Sequence, residues 1–289
     1  MQFADHKKRD IFLFSAPFMI IYIAFLVFPV IYGIYLSFFD WNILSSMSFI
    51  GLKNYLNAFK DPQFIQSFLH TCQFVLITTP TIILASFVMA LISVKPTRIG
   101  KAAEAIFFFP YMLSMSVIGS LWAWIFQKNF GILNKILKFI NIQPVGWLTD
   151  PKLAMLSISI ATLWWTAGFN MILFSAGMKQ IPDEIYDSAL IDGAGKFKTL
   201  FNITIPLLSE TSLLVIILQI IASFKVFGQS YVMTSGGPYG KTRVLVQYIY
   251  QTGFNYYRLG YASAMSIMLF IVILAISAIQ FLSGRKEEL

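Results

Sequence analysis

The chain has 289 residues, of which 57% are hydrophobic and only 12% are charged. A soluble domain carries about a quarter charged residues, so a bilayer must cover part of this surface. The net charge of +8 does not indicate a nucleic-acid binder, because the basic residues lie in short clusters between apolar runs, as in membrane proteins. The single cysteine, Cys72, excludes an intrachain disulfide framework.

Six apolar runs are long enough to span a bilayer, which takes about 20 residues each. In chain order they are 11–39, 70–94, 102–126, 153–177, 206–227 and 261–283. The first run is too long for the apolar region of a cleaved signal peptide. We therefore predict an all-α polytopic membrane protein with six transmembrane helices, in which residues 1–289 form one domain.

The positive charges predict the orientation in the membrane. With six spans both termini share one side, where the connections are short and basic residues lie close to the span ends. These residues are Lys7, Lys8, Arg9, Lys95, Arg98, Lys101, Lys179, Lys196, Lys198, Arg285 and Lys286. We predict that both termini are cytoplasmic and that the connection between the fourth and fifth spans lies on the same side.

That connection, residues 183–206, is the longest stretch with frequent charges. Pro182 suits the first position of a helix, and Asp183 with Glu184 then lies at the positive end of the helix dipole. Asp192 and Gly193 interrupt the apolar stripe, so we predict two short amphipathic helices with a bend at Gly193. On spacing alone, an interfacial helix that rests on lipid headgroups is an equal alternative.

The sequence EIYDSALIDGAGKFKTLFNITIP, from Glu184 to Pro206, resembles the EAA loop of ABC importer permeases. Asp187-Ser188-Ala189 stand where the family has Glu-Ala-Ala, Gly193 stands at its glycine, and Ile203-Thr204-Ile205-Pro206 stand at its closing I-x-L-P. The departures are a shorter acid, a serine for an alanine and an isoleucine for a leucine. The stretches FGILN and TSGGP resemble the maltose-type sugar branch in particular.

The resemblance implies a type I ABC importer permease fold, with a coupling helix that sits in a cleft of a cytoplasmic ATPase subunit. The coupling residues it implies are Glu184, Tyr186, Asp187, Ser188, Ala189, Asp192, Gly193 and Ala194. The implied partners are a second homologous permease, two ATPase subunits, an extracytoplasmic solute-binding protein and a sugar or oligosaccharide. The implied location is a bacterial or archaeal plasma membrane.

The chain contains no phosphate-binding sequence G-x-x-x-x-G-K-[ST]. We therefore expect no ATP hydrolysis, no catalytic residue, no metal site and no cofactor in this chain. In importers of this type the partner ATPase subunits bind ATP and magnesium.

Polar residues on one helical face of the fourth and fifth spans form the candidate substrate path, although such residues also serve helix packing. When the chain is aligned with maltose-transporting members on the motifs above, the positions that contact sugar in those members match positions on or near these faces. With Asn170 from the fourth-span face, the predicted path is Tyr111, Trp164, Thr166, Phe169, Asn170, Gln219 and Ser223.

The sequence leaves three alternatives to a sugar importer. The same architecture could import glycerol phosphate or another polyol. An ion-coupled secondary transporter needs ionisable residues at mid-membrane, and the spans contain few. An intramembrane enzyme needs a catalytic set, whereas the only histidines, His6 and His70, lie at or outside the ends of the predicted spans.

Overall fold

The structure is a computed structural model that describes residues 14–42 and 46–284. Helices dominate it, which confirms the all-α prediction. In chain order the helices are α1 (Phe14–Ser37), α2 (Lys53–Lys60), α3 (Pro62–Ser93), α4 (Arg98–Met112), α5 (Met115–Ile125), α6 (Ile132–Phe139), α7 (Ala154–Met178), α8 (Asp183–Ile191), α9 (Lys196–Leu207), α10 (Ser209–Phe224), α11 (Gly228–Thr234), α12 (Leu245–Tyr250) and α13 (Leu259–Gly284). Strand β1 (Phe39–Asp40) pairs antiparallel with β2 (Ser48–Phe49).

Within the described residues, helices α1, α3, α7 and α13 are each long and apolar enough to cross a bilayer. The number of spans rises to six if α4 with α5, and α9 with α10, each count as one bent span. The helix of the second predicted span begins at Pro62 instead of residue 70. The first three residues of the predicted first span, and Lys7, Lys8, Arg9, Arg285 and Lys286 near the termini, lie outside the described residues.

The predicted third span is not one straight helix, because α4 and α5 meet at an angle of 98°. Pro110 lies in the 3-10 turn that ends α4, and Leu113 is extended, with φ −81° and ψ 146°. Proline lacks an amide hydrogen and so cannot donate to the preceding helical turn. Ser114 then caps α5 by accepting a hydrogen bond from the amide of Val117 at 3.5 Å.

One compact unit comprises residues 63–248 and the described part of 272–289. Its core holds two clusters of buried apolar side chains, one around Phe74, Phe126 and Ile158 and the other around Phe174 and Val215. Helices α4 and α7 touch backbone to backbone, because a Cβ at Gly168 would lie 2.0 Å from the carbonyl oxygen of Phe107. Small residues allow membrane helices to approach this closely.

The other compact unit comprises the described residues up to Pro62 together with residues 249–271. Asn54 ties the start of the hairpin to α2, since its side-chain amide donates to the carbonyls of Ser37 and Phe39 at 2.9 Å each. The hydroxyl of Tyr261 donates to the carboxylate of Asp61 at 2.8 Å. Only 6% of the most apolar window of α1 is buried within the chain, so α1 presents its apolar side chains to the bilayer or to another chain.

Candidate functional site

Four residues separate the end of α7 from the start of α8. Pro182 is the N-cap residue, with φ −59° and ψ 138°, so it lies one position before the first helical position predicted for it. Asp183 and Glu184 occupy the first turn, where carboxylates interact favourably with the exposed amides of the helix N-terminus. The hydroxyl of Ser188 donates back to the carbonyl of Glu184 at 2.8 Å.

Gly193 ends α8 in a Schellman turn, which supports the predicted bend. Its φ is +71°, in the left-handed region that glycine adopts without steric cost. The amide of Gly193 donates to the carbonyl of Leu190 at 3.1 Å, and the amide of Ala194 donates to that of Ala189 at 2.9 Å. These two bonds satisfy carbonyls that the helix end leaves without partners.

Helices α8 and α9 contact each other through the inward side of the bend. The hydroxyls of Tyr186 and Thr204 lie 3.3 Å apart, within hydrogen-bonding distance. Ala189 is buried, whereas Tyr186 and Ala194 are half-buried. Thr204 ends a π-helical turn within α9. The hydroxyl contact therefore links α8 to α9 across the bend.

The segment also exposes several apolar side chains and carboxylates. Ile191, Phe197 and Phe201 are 86%, 80% and 62% exposed. Asp187 and Asp192 are also exposed. We call these five residues the coupling surface, after the role that the resemblance predicts for this segment.

Of the coupling residues predicted from the resemblance, Glu184, Asp187, Ser188, Asp192 and Gly193 are exposed. Sequence reasoning did not include Ile191, Phe197 and Phe201 among them. Phe197 and Phe201 are four residues apart, and lysines flank Phe197. On a helix this spacing places the two rings on the same face, so the sequence could have predicted an apolar face for a partner.

The predicted path residues fall into two groups, and the first is aromatic. The rings of Tyr111 and Phe169 stack with centroids 4.9 Å apart. Trp164 meets Trp122 edge to face at 5.8 Å. Tyr111 and Trp164 keep exposed faces, so this aromatic group presents ring surface outside the chain. Sequence reasoning did not single out Trp122 for contact with Trp164.

The second group is a buried polar network that joins three membrane helices. The amide nitrogen of Asn170 on α7 donates to the amide oxygen of Gln219 on α10 at 2.6 Å, and Gln219 donates to the hydroxyl of Ser223 at 3.0 Å. Thr78 and Thr79 on α3 each lie 3.3 Å from the same hydroxyl. All five side chains are buried. The two threonines were not predicted, although a pair of polar residues inside an apolar run indicates a contact with another helix.

Thr166 belongs to neither group, because its hydroxyl donates to the carbonyl of Thr162 one turn earlier on α7 at 2.8 Å. This is the local bond that threonine commonly makes in helices. Among the described residues, no three His, Cys, Asp or Glu side chains come close enough together to hold a metal ion. The arrangement therefore offers an aromatic face, an internal hydrogen-bond network and the coupling surface.

Comparison with known proteins gives the family. Residues 56–288 match the family described as "Binding-protein-dependent transport system inner membrane component". The chain is 32% identical to the probable ABC transporter permease protein YurN of Bacillus subtilis over 292 residues, which covers 98% of this chain and 99% of that protein. It is also 32% identical to the trehalose/maltose transport system permease protein MalF of Thermococcus litoralis over 280 residues, covering 95% and 93%.

A solved structure has the same fold. It is a bacterial alginate ABC transporter in complex with an alginate pentasaccharide-bound periplasmic protein. The similarity has a TM-score of 0.85 at 23% identity and covers 99% of this chain and 98% of the matched one. The match confirms the predicted importer permease fold. The chain therefore belongs to the family of inner membrane components of binding-protein-dependent transport systems.

Proposed function

We propose that the chain is one of two permease subunits of an ATP-driven importer, and that the coupling surface docks in a cleft of a cytoplasmic ATPase subunit. In this assembly the two ATPase subunits bind ATP and magnesium, and an extracytoplasmic solute-binding protein delivers the cargo. Both termini of the chain are cytoplasmic. The observation that carries the proposal is a bend at Gly193 in a short segment that exposes Ile191, Phe197 and Phe201 as well as carboxylates.

The two carboxylates of the coupling surface favour a protein partner, whereas the exposed Lys196 and Lys198 beside Phe197 would suit an anionic lipid surface. Asp187 and Asp192 are exposed in the same segment as the apolar side chains. The cytoplasmic leaflet has a negative surface potential, which repels carboxylates. A protein cleft can instead bury the phenylalanine rings, since aromatic side chains are enriched at the centres of interfaces. It can also supply hydrogen-bond donors to the carboxylates.

The cargo that we propose is a sugar or an oligosaccharide. The names of the trehalose/maltose relative and of the alginate transporter support this class. The exposed rings of Tyr111 and Trp164 suit the apolar faces of sugar rings, while hydroxyl groups of the cargo need neutral donors and acceptors. A thermal-shift screen of sugars on the cognate solute-binding protein would identify the cargo, since that protein selects it.

The docking proposal is tested with Phe197→Asp in the assembled transporter. Loss of a buried aromatic anchor at an interface costs about 2 kcal/mol or more, so we expect at least a tenfold loss of co-purified ATPase subunit. Phe139→Asp is the matched control, because Phe139 is 89% exposed on the short amphipathic helix α6, which the charge distribution places on the external side. Wild-type recovery of the ATPase subunit with Phe197→Asp would make the segment an interfacial helix.

A further inference from the structure

A large cavity lies behind the coupling surface, between the bend and the ends of the membrane helices. Its volume is about 1020 Å³, at the upper end of the range of small-molecule pockets. The last turn of α3, the first turns of α4, the end of α7 and the inward sides of α8 and α9 form its walls. Ile191, Phe197 and Phe201 do not line it, so the cavity and the coupling surface are separate.

The cavity is basic. Four lysines line it, against two carboxylates: Lys95, Lys101, Lys179, Lys196, Glu104 and Asp183. Lys179 already pairs with Glu104 at 3.7 Å. The described part of the chain gives Lys95, Lys101 and Lys196 no ion-pair partner. These three exposed lysines come from two different connections and line one cavity, so together they make it a favourable environment for an anion.

The remainder of the lining is mainly apolar. Leu91 lies in the last turn of α3 and Val94 directly follows that helix, and Met178, Ile181 and Leu200 also line the cavity. A free inorganic anion would leave these side chains facing water. A molecule with an anionic head and a hydrocarbon tail would contact both the lysines and the apolar wall, and such molecules are concentrated at the ends of membrane helices.

We propose that this cavity binds an anionic phospholipid, with its phosphate among Lys95, Lys101 and Lys196 and an acyl chain along Leu91 and Val94. This proposal rests on the proposed function, because it requires that α8 and α9 face the cytoplasm and carry the coupling surface. The bound lipid contacts the inward side of the segment whose outward side docks the ATPase subunit. It therefore ties the bend to the bilayer.

The test measures lipid binding to the purified transporter complex by native mass spectrometry. Phosphatidylglycerol is titrated against wild type, Lys95→Gln, Lys101→Gln and Lys196→Gln. Each lysine near an anionic headgroup adds to the free energy of binding, so each substitution should weaken phosphatidylglycerol binding about fivefold. Arg98→Gln and Lys198→Gln are matched controls, since both residues are exposed cations near the cavity in sequence but do not line it. Equal weakening by the controls would overturn the site.

Glu104→Gln provides a test in the opposite direction. It removes a carboxylate from the cavity and frees Lys179, so phosphatidylglycerol should bind about fivefold more tightly. Unchanged or weaker binding would contradict the proposal. Because misfolding would weaken lipid binding, tighter binding by this variant cannot result from misfolding.

Two further arms distinguish the ligands. Phosphatidylcholine with the same acyl chains should bind weakly, because it has no net charge, and equal binding would reduce the site to an apolar groove. Inorganic phosphate should not displace phosphatidylglycerol at equal concentration, and displacement would identify a soluble-anion site instead. Co-purification of the ATPase subunit is recorded on the same samples. If the ATPase subunit does not co-purify with the wild-type chain, the proposed function is rejected. The lipid titration separately tests whether the cavity binds phosphatidylglycerol.

Discussion

Gly193 and Gly168 are needed for opposite reasons. At Gly193 no atom lies within 4 Å of an added Cβ, and the constraint is the positive φ of +71°. At Gly168 the backbone is an ordinary helix, and the constraint is the carbonyl of Phe107 in the neighbouring helix. A sequence shows both positions only as glycine. The physical consequence of replacing each one therefore has to be read from the structure.

We expect Gly193→Val to weaken docking of the ATPase subunit while the membrane helices insert normally. A residue with a Cβ costs about 1–2 kcal/mol in the left-handed conformation, which corresponds to about 5–30-fold in an equilibrium. Gly195→Val is the matched control, since Gly195 also has open space around it but a φ of −70°. Co-purification of the ATPase subunit measures the effect, and equal recovery from both variants would show that the bend does not determine docking.

Gln219 lies at the centre of the buried network, so we expect Gln219→Ala to lower thermal stability as well as sugar uptake. The substitution leaves the buried amide of Asn170 without its acceptor, and such a loss costs about 1–3 kcal/mol. Trp164→Ala should reduce uptake and lower stability only through lost packing against Trp122, since it leaves no buried polar group without its partner. Thermal unfolding of the purified transporter and uptake into proteoliposomes separate the two effects.

The opposite pattern would assign different roles to these residues. Reduced uptake with unchanged stability in Gln219→Ala would place Gln219 in contact with the cargo, as the sequence predicted. Unchanged uptake in Trp164→Ala would leave Trp164 as a packing residue for Trp122. Gln180→Ala controls for the loss of an amide side chain, since Gln180 is exposed in the connection after α7.

At the scale of the elements, hydropathy located the membrane helices but not their directions. The run 102–126 is apolar throughout, so a hydropathy average does not register the 98° angle between α4 and α5. Pro110 was the visible signal, but a proline can also lie inside a continuous helix, as Pro80 does in α3. The start of α3 was missed because its first turns contain Gln63 and Gln66, which lower the local hydropathy.

The candidate site was predictable to a similar degree. The motif placed α8, the bend and its carboxylates correctly, since each depends on local sequence. The exposure of Phe197 and Phe201 depends on how α9 packs against α8 through Tyr186 and Thr204, which is a tertiary contact. The burial of Asn170 likewise follows from the packing of three helices. Periodicity alone puts Asn170 on a polar face without saying what that face meets.

Close packing between α4 and α7 gives a prediction at the element scale. We expect Gly168→Ala to destabilise the transporter, because the added methyl group meets a backbone carbonyl that cannot rotate away, and overpacking costs about 1–3 kcal/mol. Gly33→Ala is the control, since Gly33 lies in α1 with no atom within 4 Å of its added Cβ. The thermal midpoint should fall for Gly168→Ala and hold or rise for Gly33→Ala. An unchanged midpoint for Gly168→Ala would contradict the backbone contact.

At the scale of the whole molecule, the distribution of basic residues predicts the orientation. Single cysteines at Ser48 and Lys196, in a background with Cys72→Ser, should react differently with an impermeant maleimide in intact cells. Both positions are exposed in the structure, so access from outside the cell is the variable that the experiment measures. We expect labelling of Ser48→Cys only. Labelling of Lys196→Cys in intact cells would reverse the topology, and labelling of both positions after lysis confirms that each is reactive.

The buried network has a mechanical consequence for the importer. The coupling segment is attached at both ends, to α7 through four residues and to α10 through Leu208, and the bond between Asn170 and Gln219 links these same two helices. Thr78 and Thr79 add α3 to the link. A force applied at the bend thus loads several membrane helices in parallel instead of flexing one. In the proposed importer, we therefore expect a weakened link between α7 and α10 to lower the amount of cargo imported per ATP hydrolysed.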